Sequence, residues 1–249
     1  MTAEDAELAE FFFTEGFCGS PCSAVDVVSS TLRLIVFDLD GTLVDSRRDI
    51  AESANALLVA FGAGPLDEQL IGRMVGDGAA ALVARAFAAA GIRQPADALD
   101  RFLTIYDGRL LTYTRPYAGI PDVLGQLGTR ASLAVLTNKP LGATRRILGG
   151  LDLARHFPAD AVVGGDGPFP RKPNPAGLQH LAARVGAAPA DTVLVGDSAI
   201  DWRTAKNAAT NICLARYGFG FDGVPAGELG PETLIVDEPA DLVRLNATI

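Results

Sequence analysis

Two aspartates, Asp38 and Asp40, stand one residue apart directly after the apolar run Leu32 to Phe37, and Gly41 and Thr42 follow them. Asp is a common loop and capping residue. Two carboxylates at the carboxyl end of a buried strand are nevertheless an awkward way to leave a hydrophobic segment unless a cation or a phosphate uses them, and that end of an open parallel sheet is where ligands bind. Two further apolar runs, Leu133 to Leu136 and Thr192 to Val195, are followed by Thr137 and by Gly196-Asp197, with Asp201 about one helical turn on, and Lys172 stands within Arg171-Lys172-Pro173-Asn174-Pro175. Taken singly, each has a local reading. Thr137 can be a helix N-cap, Lys172 a solvated loop charge, and Asp201 a first-turn residue favoured by the helix dipole. Those local roles do not exclude chemical ones.

The elements that must hold these residues form an alternation. From Thr31 onward, short runs rich in Val, Ile and Leu end in polar or glycine-containing turns and give way to helical spacing. Parallel strands joined by crossover helices produce this rhythm, and strands covered on both faces are apolar throughout. Six runs qualify: the three above, and Ala161 to Val163, Ile212 to Ala215 and Leu234 to Val236. Between the first and second lie far more residues than one crossover helix needs. Within that interval, Ile50, Ala54, Leu57, Leu58 and Phe61, then Leu82, Val83, Ala86 and Phe87, repeat at helical spacing. The expectation is an α/β protein with a Rossmann-like parallel sheet core, helices on both faces, and an inserted helical cap. The core covers residues 31–46 and 116–249, the cap residues 47–115, and an acidic extension residues 1–30.

Composition narrows the function. The chain has 249 residues, 49% of them hydrophobic, enough for a large core. Its formal charge is -9, of which residues 1–30 supply -6 from six acids and no Lys or Arg. That near-neutral body offers no clustered basic footprint for nucleic acid. No apolar run has the roughly 18–20 residues of a membrane span, and the N-terminus lacks the basic region that opens a secretory signal. A cytoplasmic protein is expected, as monomer or homodimer. Cys18, Cys22 and Cys213 are too few for a disulfide framework and read as ordinary thiols. Leu8, Phe11 and Phe12 share one face of a short helix in the leader, which reads as an extension or a partner-binding helix.

The stretch from Phe37 to Ser46 resembles the D-x-D-G-T motif of the haloacid dehalogenase superfamily phosphatases. The other motifs of that family have counterparts in order: Leu136-Thr137-Asn138-Lys139-Pro140 for the second, Lys172-Pro173-Asn174-Pro175 for the third, and Gly196-Asp197-Ser198-Ala199-Ile200-Asp201 for the fourth. The resemblance covers the chain from Leu32 nearly to its end. It implies that Asp38 attacks phosphorus and carries a covalent intermediate, while Asp40 protonates the leaving oxygen and later takes a proton from water. Magnesium is implied as cofactor, held by Asp38, the carbonyl of Asp40, and Asp197. Lys172 is implied to neutralise Asp38 and the phosphate, Thr137 and the backbone near Leu39 and Asn138 to donate to the phosphate, and Asp201 to support the metal waters from behind. One departure stands out: Ala208-Ala209-Thr210 replaces the glycine that commonly ends the helix of the fourth motif.

Sibling reactions sort by residue. Dehalogenases of this superfamily lack the second carboxylate of the first motif, which is present here as Asp40. Phosphonate hydrolysis needs a Schiff-base lysine in the cap, and residues 47–115 contain none. Ile71 to Ala79 and Thr114 to Ile120 resemble the phosphoglycolate phosphatase subgroup, which implies 2-phosphoglycolate, a small phosphorylated metabolite, as substrate. A sugar-phosphate phosphatase or a β-phosphoglucomutase-like enzyme is the alternative, and a non-catalytic phosphate-binding regulator is the alternative of another class. A carboxylate in a closed site needs a cationic or multiple-donor partner, and among the eight arginines of the cap Arg73, just before Gly76-Asp77-Gly78, is the candidate. His156 and His180 match no motif and read as packed or surface residues, and Trp202 as core or interface.

Overall fold

The computed structural model describes residues 32–230 and 233–245. The leader and its two cysteines lie outside the described residues. The apolar runs become a six-stranded parallel sheet in the order β5-β4-β1-β6-β7-β8. Its strands are β1 (Leu34–Phe37), β4 (Ser132–Leu136), β5 (Val162–Val163), β6 (Thr192–Gly196), β7 (Asn211–Ala215) and β8 (Leu234–Val236). Alternate residues feed two separate cores. Ile35, Phe37, Val135 and Val195 point to one face, while Leu34, Val36, Ala134 and Leu194 point to the other. The period of two along each strand makes this unavoidable, and it explains why the strands are apolar on both sides.

Helices α5 (Ile120–Leu127) and α6 (Leu141–Gly150) cover the first face. Helices α7 (Ala176–Arg184) and α8 (Ala199–Ala208) cover the second. The chain runs outward from β1 through β4 to β5, then returns to β6 on the other side of β1. That reversal creates a crevice at the carboxyl ends of the strands beside β1.

A short antiparallel pair, β2 (Val44–Asp45) with β3 (Arg115–Pro116), forms the two legs of the helical cap. Between them come α1 (Arg47–Ala60), α2 (Glu68–Gly72), α3 (Ala79–Ala89) and α4 (Ala98–Asp107). The apolar spacing read from the sequence is the buried face here: Ile50, Ala54, Leu57 and Leu58 on α1, and Leu82, Val83, Ala86 and Phe87 on α3. Asp49 fastens the legs. Its buried Oδ2 accepts from the backbone N–H groups of Tyr113 and Thr114 at 2.9 and 2.7 Å, and from the Thr114 hydroxyl at 2.7 Å.

The glycine missing after α8 has a visible consequence. The helix closes with Thr210 N–H donating to the Ala205 carbonyl and Ala209 N–H to that of Lys206, a Schellman arrangement. Its left-handed residue is Ala209, at φ 54°. The turn has kept its hydrogen bonds with a side chain where glycine is favoured.

Candidate active site

Three strands of the sheet end at one place. Asp38 follows β1, Thr137 follows β4 and Asp197 follows β6, and all three are buried. Lys172 arrives from the loop before α7 and is buried as well. Its Nζ lies 2.9 Å from Asp38 Oδ1 and 2.6 Å from Asp201 Oδ1. Asp38 Oδ1 also accepts the backbone N–H of Leu39 at 2.7 Å. That N–H, read from the sequence as a phosphate donor, is therefore directed at the carboxylate in this structure.

Carboxylate oxygens of Asp38, Asp197 and Asp201 lie within 4.8 Å of one another. Burial, reinforced by Asp201 and Asp40 and opposed by Lys172, raises the Asp38 carboxyl to about 6. Asp197 is pushed well above the usual carboxylate range by burial, then by Asp201 and Asp38. Lys172 loses by burial but gains more from Asp201 and Asp38, so it is held above the ordinary lysine range. One ammonium facing three buried carboxylates leaves negative charge that a hard cation with oxygen ligands would neutralise, which is the fit expected for a divalent ion such as magnesium. The backbone makes room for this crowding: Gly41, at φ +88°, lies so close to the Asp197 carboxylate that a Cβ there would collide with it.

Asp201 does more than stand behind the others. Its Oδ2 accepts from the Ser198 backbone N–H at 3.1 Å and from the Ser198 hydroxyl at 2.6 Å, so the residue that holds Lys172 also caps α8. The side chain of Asp40 turns away from this cluster. It accepts from the Ser46 hydroxyl at 2.5 Å and from Lys139 Nζ at 2.7 and 2.9 Å. Lys139 is buried, with its ammonium 4.6 Å from the Tyr106 ring centroid in the cap helix α4. Burial works against its charge, yet Asp40 and Tyr106 together outweigh it and keep Lys139 above the ordinary lysine range. Sequence reading gave Lys139 no role. The available signal was its position two residues after Thr137, at the end of a strand and beside the crevice.

Thr137 is not a helix cap, since α6 begins at Leu141. Its hydroxyl oxygen accepts the Lys139 backbone N–H at 3.2 Å, which leaves the hydroxyl hydrogen to donate. Asn138 behaves differently from a direct ligand residue. Its Nδ2 donates to the carbonyls of Gly76 and Lys172 at 2.8 and 3.0 Å, and its Oδ1 accepts from Lys172 N–H at 2.8 Å. The side chain ties the cap to the lysine loop, so any donor to substrate from this residue has to be its backbone N–H. Arg73 ends α2 on the surface, with Nε 3.9 Å from Asp222 Oδ2. It is not among the residues lining the cavity below.

The site opens into a cavity of about 480 Å³ between core and cap. Asp38, Asp40, Thr137, Lys139 and Asp197 form part of its wall, and Val75, Leu82, Phe102, Tyr106 and Phe219 supply apolar surface. His156 is half-buried, His180 is exposed and packs against Phe169, and Trp202 is buried in the core side of α8. None of the three lines the cavity.

Comparison with known proteins gives the same site a family. The model for the haloacid dehalogenase-like hydrolases matches residues 35–215, which include every strand end just described. The chain belongs to the haloacid dehalogenase-like hydrolases. A phosphoglycolate phosphatase of Rhodospirillum rubrum is 41% identical over 207 residues, covering 80% of this chain and 84% of that protein. Phosphoglycolate phosphatase 1 of Pseudomonas aeruginosa is 35% identical over 219 residues, covering 85% and 78%. A crystal structure from Haemophilus somnus, described as a predicted phosphoglycolate phosphatase, superposes with a TM-score of 0.77 at 29% identity, over 86% of this chain and 97% of that one. This haloacid dehalogenase-like hydrolase is an enzyme of the phosphatase type. Among the described residues, no helix is long and apolar enough to cross a membrane.

Proposed function

We propose that the enzyme hydrolyses a small phosphomonoester, 2-phosphoglycolate first among the candidates, through a phosphoryl group carried on Asp38. A carboxylate oxygen of Asp38 attacks phosphorus as the ester P–O bond breaks, and Asp40 gives its proton to the departing alcohol oxygen. Water then attacks the aspartyl-phosphate, Asp40 takes its proton, and inorganic phosphate leaves with Asp38 restored. Thr137 and the backbone N–H of Asn138 hold the phosphate, and Lys172 neutralises Asp38 and the equatorial oxygens. Asp38, Asp197 and the carbonyl of Asp40 would hold magnesium, with Asp201 behind them. The ion supplies charge neutralisation to the phosphoryl group when bound.

The observation that carries the reading is the meeting of Asp38, Thr137, Lys172 and Asp197 at the ends of β1, β4 and β6 under a roofed cavity. The preference for 2-phosphoglycolate is supported by the relatives named above. The cap, residues 47–115 in this reading, encloses the reacting groups and limits leaving-group size. The volume of about 480 Å³ also has room for a sugar, so a sugar phosphate is the second reading.

Purified protein assayed on 2-phosphoglycolate, a hexose phosphate and an aryl phosphate, with magnesium and with chelator, tests this. The expected result is turnover only with metal and the highest kcat/KM on 2-phosphoglycolate. A tenfold higher kcat/KM on the hexose phosphate would move the assignment to the sugar reading. No turnover of even the aryl phosphate would make the protein a phosphate-binding regulator.

A further inference from the structure

The carboxylate of 2-phosphoglycolate has no assigned partner once Arg73 is placed outside the cavity. Among the described residues, Lys139 is the only Lys or Arg that lines it. The remaining charged lining residues, Asp38, Asp40, Asp107 and Asp197, are acids that would repel a carboxylate. Resting on the 2-phosphoglycolate reading, we propose that Lys139 is the specificity-determining residue, the cation that pairs with the carboxylate of the leaving group.

Connectivity in the substrate fits this position. Asp40 is the group assigned to the ester oxygen, and in 2-phosphoglycolate a single methylene separates that oxygen from the carboxyl carbon. A cation bonded to both oxygens of Asp40, at 2.7 and 2.9 Å, is thus within side-chain reach of the substrate's carboxylate. An ammonium carries three donors on a flexible stem, and Asp40 takes two of them. The Tyr106 ring, 4.6 Å from Nζ, closes the apolar side of the lysine and comes from the cap. A carboxylate enclosed there without a cation would be strongly disfavoured, whereas an uncharged two-carbon leaving group would forgo nothing by lacking one. Lys139 therefore binds the substrate through the part that discriminates it, while its contact with Asp40 keeps the acid and the recognised group in one register.

The test compares 2-phosphoglycolate with ethyl phosphate, which matches its length and lacks the carboxylate. Both rates should fall in Lys139→Gln, because Asp40 loses a partner. The kcat/KM for 2-phosphoglycolate should fall at least tenfold further, mainly through KM. In Lys139→Arg, whose planar fork cannot occupy the same point, the ratio of the two kcat/KM values should shift at least threefold from wild type. Equal losses on both substrates in Lys139→Gln, or an unchanged ratio in Lys139→Arg should the glutamine variant not fold, would overturn the proposal. Failure of the substrate reading is visible separately, as a wild-type enzyme that does not prefer 2-phosphoglycolate to ethyl phosphate.

Discussion

Lys172 Nζ is closer to Asp201, at 2.6 Å, than to Asp38, at 2.9 Å. The lysine is thus anchored by a residue that also caps a helix, and it serves Asp38 from a fixed point. Removing the ammonium leaves three buried carboxylates facing one another. Lys172→Met is expected to destabilise the metal-free fold by about 3–5 kcal/mol, the range for breaking a buried ion pair. Magnesium should return part of that stability by replacing the missing charge. Urea unfolding with and without the ion measures both, and a metal-free Lys172→Met protein as stable as wild type would show that the ammonium does not hold the cluster together.

Asp38 makes stability depend on pH in an unusual direction. Its carboxyl is raised by burial from 3.8 to about 6, so between those values the folded state keeps a proton that the unfolded chain has released. The stabilising contribution of this group is present below about pH 4 and disappears as pH rises through about 6. Asp38→Asn cannot ionise. In chelator it should become more stable than wild type across that window, and magnesium should stabilise wild type more at pH 7.5 than at pH 5. Parallel pH-stability curves for the two proteins would contradict this.

Asp40→Asn should fold normally and turn over slowly. General acid catalysis contributes roughly 10²–10⁴ in rate, and the loss should be near that size for alkyl phosphates, whose alkoxides need a proton. Aryl phosphates, with leaving groups of low pKa, should lose far less. A leaving-group series run on the variant decides the point: an equal loss across the series would remove Asp40 from the acid role.

Ala209 occupies a left-handed conformation that costs an L-residue roughly 1–2 kcal/mol relative to the right-handed one. Part of any gain from glycine is offset by the greater freedom of the unfolded chain. Ala209→Gly should therefore raise stability by about 0.5–1 kcal/mol and leave kcat unchanged, since the turn lies at the far end of α8 from Asp197 and Asp201. Differential scanning calorimetry beside an activity assay checks both halves.

Much of this enzyme is written locally in its sequence. Apolar runs that alternate between two cores made the parallel sheet legible, and the helical spacing of Ile50 to Leu58 and of Leu82 to Phe87 marked buried faces of the cap. Asp38 and Asp40 stand out because two carboxylates end a buried strand, where open parallel sheets bind ligands, whereas Thr137, Lys172 and Asp197 are legible through the order of motifs that resembles the family. Three other residues needed the tertiary structure. Asn138 is engaged with Gly76 and Lys172, contacts 62 and 34 residues away along the chain. Arg73 adjoins a glycine loop in the sequence, but in the fold it lies at the end of α2 beside Asp222 and outside the cavity lining. Lys139 meets Asp40 across 99 residues of sequence. Strand period and motif order are properties of adjacent residues, whereas the partner of a long charged side chain depends on which elements the fold brings beside it, so only the packed cap and core could select Lys139.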